Sequence, residues 1–234
     1  MSNRIWQMFL VLLLLGLSAC VEDDVKRGND AFFIGDYDRA IANFSKALDQ
    51  EPAHRDARYG LALSYFSVAE ESEKLHVPTF DLWKRAADEF RILSKIDSGH
   101  QVDANYSTCL FYLARATMAN GENANVLPLL DKSIMLDSAN YFSMNLKALI
   151  LAKGGTPEGV EAAKQIFIHI LTNEPLFVSA YVNLGNLYWD EGDIESAWDT
   201  WSMGLIRSPN NPALIRWTKI AEDSLKSRIL SDEL

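Results

Sequence analysis

Residues 184–201 read Leu-Gly-Asn-Leu-Tyr-Trp-Asp-Glu-Gly-Asp-Ile-Glu-Ser-Ala-Trp-Asp-Thr-Trp, and a proline follows at position 209. The segment from Gly28 to Pro52 repeats the same order of residue types. In both, a small residue is followed after 7 positions by Gly, after 12 by Ala, after 16 by an aromatic residue, after 19 by a second small residue and after 24 by Pro. The two sets are Gly28, Gly35, Ala40, Phe44, Ala47, Pro52 and Gly185, Gly192, Ala197, Trp201, Gly204, Pro209. Six matches at fixed spacing indicate an internal repeat.

Three weaker copies lie between these two, opening at Leu61-Ala62, Leu113-Ala114 and Ala148. The small residues that open successive copies are 34, 52, 34 and 37 positions apart, so one interval carries eighteen extra residues. Most of the excess is an insertion at about 67–81, which is rich in Glu and contains Pro78. We expect it to lengthen one helix by two to three turns before Pro78 breaks it. A binding projection and a solvated extension are both open interpretations.

The motifs Leu184-Gly185-x-x-Tyr188 and Ala197-x-x-x-Trp201, followed by Pro209, resemble the signature of the tetratricopeptide repeat. The resemblance covers about residues 21–209 and implies an all-α, right-handed superhelical solenoid. We predict about five helix pairs over residues 24–209 and a capping helix with a tail over 210–234, because an open solenoid end needs a cover. Asp36, Asn125 and Asp193 are placed to cap helices.

The first twenty residues have the layout of a secretory signal, with Arg4, an apolar run from Ile5 to Leu17 and small residues before Cys20. The run is shorter than the roughly 20 residues that a membrane-spanning helix needs. Leu17-Ser18-Ala19-Cys20 resembles the lipobox of bacterial lipoproteins. We therefore predict a signal peptide at 1–19, an acylated (palmitate-bearing) Cys20 and a short tether at 20–23. The expected location is the periplasmic face of the outer membrane, with the inner membrane as the alternative.

In the tetratricopeptide family, the first helix of each pair lines a concave groove that binds polypeptides. The corresponding face here combines aromatic and aliphatic side chains with asparagines, which can both donate to and accept from a peptide backbone. Val25 and Tyr59 stand where a carboxylate-binding lysine would be, so a clamp for a peptide C-terminus is not expected. The predicted groove residues are Asn29, Phe32, Tyr59, Phe66, Phe111, Arg115, Phe142, Asn145, Val182, Asn186 and Trp189.

Charge and motif content argue against several other functions. The net charge of −10 disfavours nucleic-acid binding, which needs cationic side chains against phosphates. The four histidines are scattered without metal-ligand spacing, and we find no phosphate-binding or nucleophile motif. We therefore predict no enzyme activity, no cofactor and no metal, and we expect Cys109 to be a buried core thiol.

These patterns predict a membrane-anchored adaptor of the bacterial cell envelope that binds other proteins of an envelope assembly. The alternatives are a regulator of a peptidoglycan enzyme and a lipoprotein of pilus, secretin or β-barrel assembly.

Overall fold

The computed structural model describes residues 19–96 and 99–232, and the regular structure in those ranges is helical throughout. The predicted signal peptide at 1–19 lies, apart from Ala19, outside the described residues. The chain divides into two compact units, Met1–Asp137 (unit 1) and Ser138–Leu234 (unit 2).

Unit 1 contains three helix pairs, each with its helices antiparallel. Its helices are α1 (19–33), α2 (Tyr37–Gln50), α3 (Arg55–Lys74), α4 (Phe80–Ile96), α5 (His100–Ala119) and α6 (Val126–Leu136), with a 3-10 turn at Asn123–Asn125. Unit 2 contains two pairs and a final helix. Its helices are α7 (Tyr141–Lys153), α8 (Pro157–Asn173), α9 (Val178–Asp190), α10 (Ile194–Arg207) and α11 (Pro212–Asp232). The predicted all-α class, with successive helices packed in adjacent pairs, is confirmed.

The spaced glycines and aromatic residues of the repeat meet inside the helix pairs. A Cβ atom at Gly28 would lie 2.6 Å from the Phe44 ring, and one at Gly60 would lie closer still to the same ring. Phe44 is fully buried between α1 and α3, which both approach it through glycine. Gly185 packs in the same way against the buried Trp201. The spacing of the glycines and aromatic residues therefore reflects close packing of the helix backbone against a ring. A side chain at the glycine would prevent this packing.

Two of the three predicted helix caps form. Gly35 and Gly192 adopt left-handed φ angles of 79° and 82° that turn the chain between the helices of a pair. Asp36 and Asp193, which follow them, accept hydrogen bonds from backbone N–H groups of α2 and α10. Asn125 was expected to cap α6 but makes no side-chain capping bond, because a 3-10 turn leads directly into the helix with Asn125 already in helical geometry.

The residues of the predicted tether, 20–23, belong to a helix. Residues 19–23 are helical and continuous with α1, and Val21 is buried in the core of unit 1. In the same helix Asp24 is only 2 % exposed, although charged residues usually lie at the surface. Its carboxylate accepts hydrogen bonds from Lys46 Nζ at 2.7 Å and Gln50 Nε2 at 3.0 Å, which stabilise the buried charge.

The insertion lengthens α3 as expected, to 20 residues against 13 in α7 and in α9. The helix ends before the proline. His76 takes a left-handed φ of 57°, and the N–H groups of His76 and Val77 bond back to the carbonyls of Glu73 and Ser72. This is a Schellman ending built on a residue other than glycine.

The last helix, α11, covers the end of unit 2 as predicted. Leu214 and Ala221 are buried, and the Trp217 ring stacks on Trp201 with centroids 5.5 Å apart. Within ranges 19–96 and 99–232, no helix combines the length and apolar character needed to cross a membrane.

Candidate polypeptide-binding faces

The predicted groove residues occupy the first helix of each pair, and none of them is buried. The unit-1 face consists of Asn29, Phe32, Tyr59, Phe66, Phe111 and Arg115 on α1, α3 and α5. The unit-2 face consists of Phe142, Asn145, Val182, Asn186 and Trp189 on α7 and α9. We describe each face separately. Their binding of polypeptide stays a prediction.

The unit-2 face brings two asparagines together beside an exposed phenyl ring. Asn183 Nδ2 donates to Asn145 Oδ1 at 2.9 Å, linking α9 to α7. This bond leaves the Nδ2 group of Asn145 and the Oδ1 atom of Asn183 as one donor and one acceptor. Phe142, one turn away on α7, is 63 % exposed and meets the Phe177 ring edge-on at 5.3 Å. A peptide backbone and an apolar side chain would thus find partners within one turn of helix.

Contacts with the buried Trp201 fix the aromatic end of the unit-2 face. Trp201 donates its Nε1–H to the carbonyl of Val182 at 3.2 Å, and its ring lies 6.0 Å from that of Trp189. Trp189 remains half-buried, so part of its ring faces solvent. Rings fixed in this way lose little conformational entropy when a ligand binds, which favours them as contact residues.

The unit-1 face is more heavily packed. The Tyr59 hydroxyl accepts a hydrogen bond from Asn105 Nδ2 at 2.9 Å, and the Phe66 ring meets Trp83 edge-on at 5.0 Å. Arg115 lies over the rings of Phe111 and Tyr112, 5.8 and 5.6 Å from their centroids. Its guanidinium also lies 3.6 Å from a Glu73 carboxylate oxygen, so its charge is partly compensated.

Val25 does not belong to the unit-1 face, although the helical spacing placed it there. Its side chain is buried in the core formed by α1, α2 and α3. Neither Val25 nor Tyr59 supplies a cation.

Three polar residues that shape the faces were missed by the sequence reasoning. Asn183 pairs with Asn145, Asn105 holds Tyr59, and Glu73 accompanies Arg115. Asn183 and Asn105 lie off the periodic positions used to define the face, and Glu73 belongs to the insertion, which has no counterpart in the repeat. The only sign of these three residues in the sequence is that each is a polar residue near a predicted face position.

The two cysteines have opposite environments. Cys20 is exposed at the beginning of α1, whereas Cys109 is completely buried and its thiol donates to the Trp83 carbonyl at 3.5 Å. Burial raises the pKa of the Cys109 thiol far above its usual range, which keeps it protonated. The expected inert core thiol is confirmed for Cys109. In the part of the chain that the structure describes, no cluster of three or more His, Cys, Asp or Glu side chains is arranged around a metal position.

Two segments match family models described as tetratricopeptide repeat, residues 25–67 and 178–197. In these two segments the chain is similar to the tetratricopeptide repeat. The first match begins within α1 and ends within α3, so it contains Phe44 and both glycines that pack against it. The second match spans α9 and the start of α10 and contains Gly185, but it ends before Trp201. Tetratricopeptide proteins typically mediate protein–protein interactions and are generally non-enzymatic scaffolds.

Solved structures with the same fold include other tetratricopeptide proteins. YrrB, described as a TPR protein with an unusual peptide-binding site, is 17% identical, with 87% of this chain and 97% of that chain covered and a TM-score of 0.58. MamA is 16% identical, with 82% and 93% covered and a TM-score of 0.57. PilF of Pseudomonas aeruginosa is 19% identical, with 89% and 87% covered and a TM-score of 0.51. At these identities the similarity shows the fold. A comparison with curated proteins gives no significant match.

Proposed function

We propose that this protein is an adaptor of the bacterial cell envelope, which binds partner polypeptides through the first helices of its tetratricopeptide pairs and is held to a membrane by a lipidated Cys20. The observation that carries the binding proposal is the Asn145–Asn183 pair beside the exposed Phe142 ring. The YrrB structure, described as having an unusual peptide-binding site, supports it at the level of the fold.

The chemistry of the unit-2 face suits an extended peptide. An extended chain presents alternating N–H and C=O groups, and the asparagine pair offers one acceptor and one donor at a fixed separation. Phe142 and Trp189 supply apolar area on either side of the pair, where side chains of the peptide would bind. The face lacks acidic and basic residues, so we expect recognition by backbone and apolar contacts, with weak dependence on salt.

Photo-crosslinking in envelope membranes tests the binding proposal. A crosslinking amino acid placed at Asn186, on the unit-2 face, should give discrete adducts with partner proteins. Phe142→Glu or Asn145→Arg should reduce these adducts about tenfold, since each introduces a charge at the contact. Asp199→Lys, on the exposed side of α10, is the matched control and should leave them unchanged. If the adducts persist in both face variants, partner proteins bind to a surface other than the unit-2 face.

Fractionation tests the anchor. Wild-type protein should stay with membranes in an alkaline wash and show the mass of an acylated N-terminal cysteine, because stable anchoring takes at least two acyl chains. Cys20→Ala should release the protein, while Cys109→Ala should leave it bound. Retention of Cys20→Ala in the washed membrane would refute the lipid anchor.

Density-gradient separation of the two membranes tests the proposed outer-membrane location. The usual substitution that redirects sorting, an acidic residue after the cysteine, is unsuitable here because Val21 is buried in the core of unit 1. Recovery of the wild-type protein in the inner-membrane fraction would contradict the proposal.

A further inference from the structure

The two additional turns of α3 pack against unit 1 instead of projecting into solvent. Trp83 on α4 is fully buried, stacks on Tyr112 of α5 with centroids 4.6 Å apart and meets Phe66 of α3 edge-on at 5.0 Å. Its Nε1–H donates to Glu73 in the last turn of α3 at 3.1 Å. The insertion is therefore an ordered part of unit 1, held by a buried tryptophan.

This packing leaves a cavity of about 540 Å³ at the end of the extension. Its size lies within the range of roughly 300–1,000 Å³ typical of ligand pockets. Half of its ten lining residues are apolar, and the other half carry polar or charged side chains. The cavity is lined by Glu73, His76, Val77, Pro78, Thr79, Phe80, Arg115, Ala116, Ala119 and Asn120.

Exposed apolar side chains occur at lining residues of the cavity or next to them along the chain. Leu75 and Val77, on either side of His76, are 73 % and 51 % exposed, and Met118, next to Ala119, is 41 % exposed. Apolar side chains grouped around a concave site mark interaction surfaces more often than scattered ones do. The corresponding turns of unit 2, at 154–156 and 191–193, contain glycine and polar residues.

The charge around the cavity is predominantly negative. Residues 70–81 and 115–122 together contain five carboxylates and two basic side chains. One of the two, Arg115, is already partnered by Glu73 and by two aromatic rings. Glu71, Asp81 and Glu122 are exposed at the edge of this region. The surface therefore complements a ligand with an apolar centre and positively charged ends.

We propose that this cavity is a second polypeptide-binding site, which takes an apolar side chain of a partner segment flanked by lysine or arginine. It is separate from the unit-2 face, and it would assign a function to the insertion. Unlike the unit-2 face, it should bind with a strong dependence on salt, because charge complementarity contributes to the recognition.

Fluorescence anisotropy with the full-length chain in detergent tests this site. The probe is labelled Lys-Lys-Leu-Phe-Leu-Lys-Lys, compared with a peptide carrying Glu in place of every Lys and one carrying Ser in place of Leu and Phe. The first should bind at least about tenfold more tightly than either control, since both its charge and its apolar centre have partners. Equal binding of either control peptide, or no saturable binding of the probe below about 1 mM, would overturn the proposal.

Variants then locate the site. Ala119→Trp fills the cavity and should weaken binding of the probe about tenfold, whereas Ala53→Trp, in the exposed turn between α2 and α3, should not change it. Phe142→Glu tests whether the probe binds to the unit-2 face instead. If Phe142→Glu abolishes binding and Ala119→Trp does not, the probe occupies the unit-2 face, so this inference fails while the proposed function stands.

A charge-reversal variant keeps the proposal testable if the cavity-filling variant misfolds. Glu71→Lys combined with Asp81→Lys changes two exposed residues and should shift the preference from the lysine peptide toward the glutamate peptide. An unchanged preference would contradict the assigned role of charge. Dimerisation that Ala119→Trp abolishes would show instead that a second copy of the chain fills the cavity, and would also overturn the proposal.

Discussion

Unit 1 and unit 2 build helix pairs from the same packing contact, but the α3–α4 pair of unit 1 has a different turn from the α9–α10 pair of unit 2. In unit 2, α9 has 13 residues and passes to α10 through Gly192, with a φ of 82°, and the capping Asp193. In unit 1, α3 has 20 residues and passes to α4 through His76, with a φ of 57°, and a turn containing Pro78. The repeat thus tolerates a longer first helix when the chain provides new packing for it.

The new packing has a local source. Trp83 is the buried residue that unites the extension, α4 and α5. In unit 2, Trp201 has a similar role for α9, α10 and α11, but it occupies a regular position of the repeat. A repeat can therefore be lengthened by placing an aromatic residue outside the regular pattern.

Replacing these two tryptophans should have the largest effect. Trp83→Ala and Trp201→Ala should each lower the free energy of unfolding by about 3–5 kcal/mol, because each leaves a large cavity. They should differ in hydrogen exchange, where Trp83→Ala should deprotect amides of residues 67–75 and Trp201→Ala should deprotect α11. If the amides of 67–75 stay protected in Trp83→Ala, the tryptophan does not hold the extension.

The glycine contacts test the packing that the units share. Gly60→Ala and Gly185→Ala should each cost about 1–3 kcal/mol in urea unfolding, since a methyl group would overlap the ring of Phe44 or of Trp201. Gly121→Ala is a useful contrast, because no atom lies within 4 Å of its added Cβ and only the left-handed φ of 83° is strained. A cost at Gly121 equal to that at Gly60 would refute overlap with the ring as the cause.

The Asp24 carboxylate is buried and pairs with Lys46, whose side chain is 61 % exposed, and this pair should make unit 1 sensitive to acid. The hydrogen bond from Lys46, helped by Gln50, lowers the pKa of the Asp24 carboxyl although burial opposes it. The stabilisation is fully present above the pKa of an aspartate in the unfolded state, which is about 4. It is lost as the pH falls through the lower pKa of Asp24 in the folded state. Asp24→Asn should lower the free energy of unfolding at pH 7 by roughly 1.5 kcal/mol. It should also make the loss of stability below about pH 4 smaller than in the wild-type protein.

Thermal unfolding between pH 7 and pH 2 measures this change. Unit 2 offers the comparison Glu191→Gln, which removes a Lys164–Glu191 pair whose Glu191 side chain is 41 % exposed. We expect that variant to cost no more than about 0.5 kcal/mol. An equal cost of the two variants at pH 7 would refute the distinction between the buried carboxylate of Asp24 and the more exposed carboxylate of Glu191.

The smallest effects should come from the two turn residues, with opposite signs. His76→Gly should stabilise the protein by up to about 1 kcal/mol, because glycine adopts a left-handed φ without the strain that a Cβ atom causes. Gly192→Ala should destabilise it by about 1 kcal/mol for the converse reason. Urea midpoints at constant slope would measure both. Destabilisation by His76→Gly would mean that contacts of the imidazole outweigh the backbone strain.

The sequence predicted the pairs well because their packing is local and periodic. Gly28 and Phe44, or Gly185 and Trp201, stand 16 residues apart, which is the distance set by two helices and a turn. Gly60 was not selected, because the periodic position in that copy belongs to Ala62, whereas Gly60 packs against the ring of the preceding pair.

The irregular parts were harder to predict because their partners are not periodic. Asp24 is paired with a lysine 22 residues later, and Glu73 with a tryptophan 10 residues later, at spacings that the repeat does not contain. Charged residues are usually solvated, so composition favours the surface for both. The groove residues were placed on the correct helices, and no buried side chain is among them, but their role in binding waits for the crosslinking experiment.

The position of Phe44 between Gly28 and Gly60 limits how the chain can be dissected. A fragment that ends with α2 would keep α1 against the phenyl ring but lose α3, so the ring face covered by Gly60 would be exposed to water. Trp201 imposes the same condition on unit 2, because α11 supplies Trp217 as its outer neighbour. Deletion boundaries for soluble fragments therefore belong one helix beyond each repeat, after α3 or after α11, and cuts at the repeat borders should yield aggregating products.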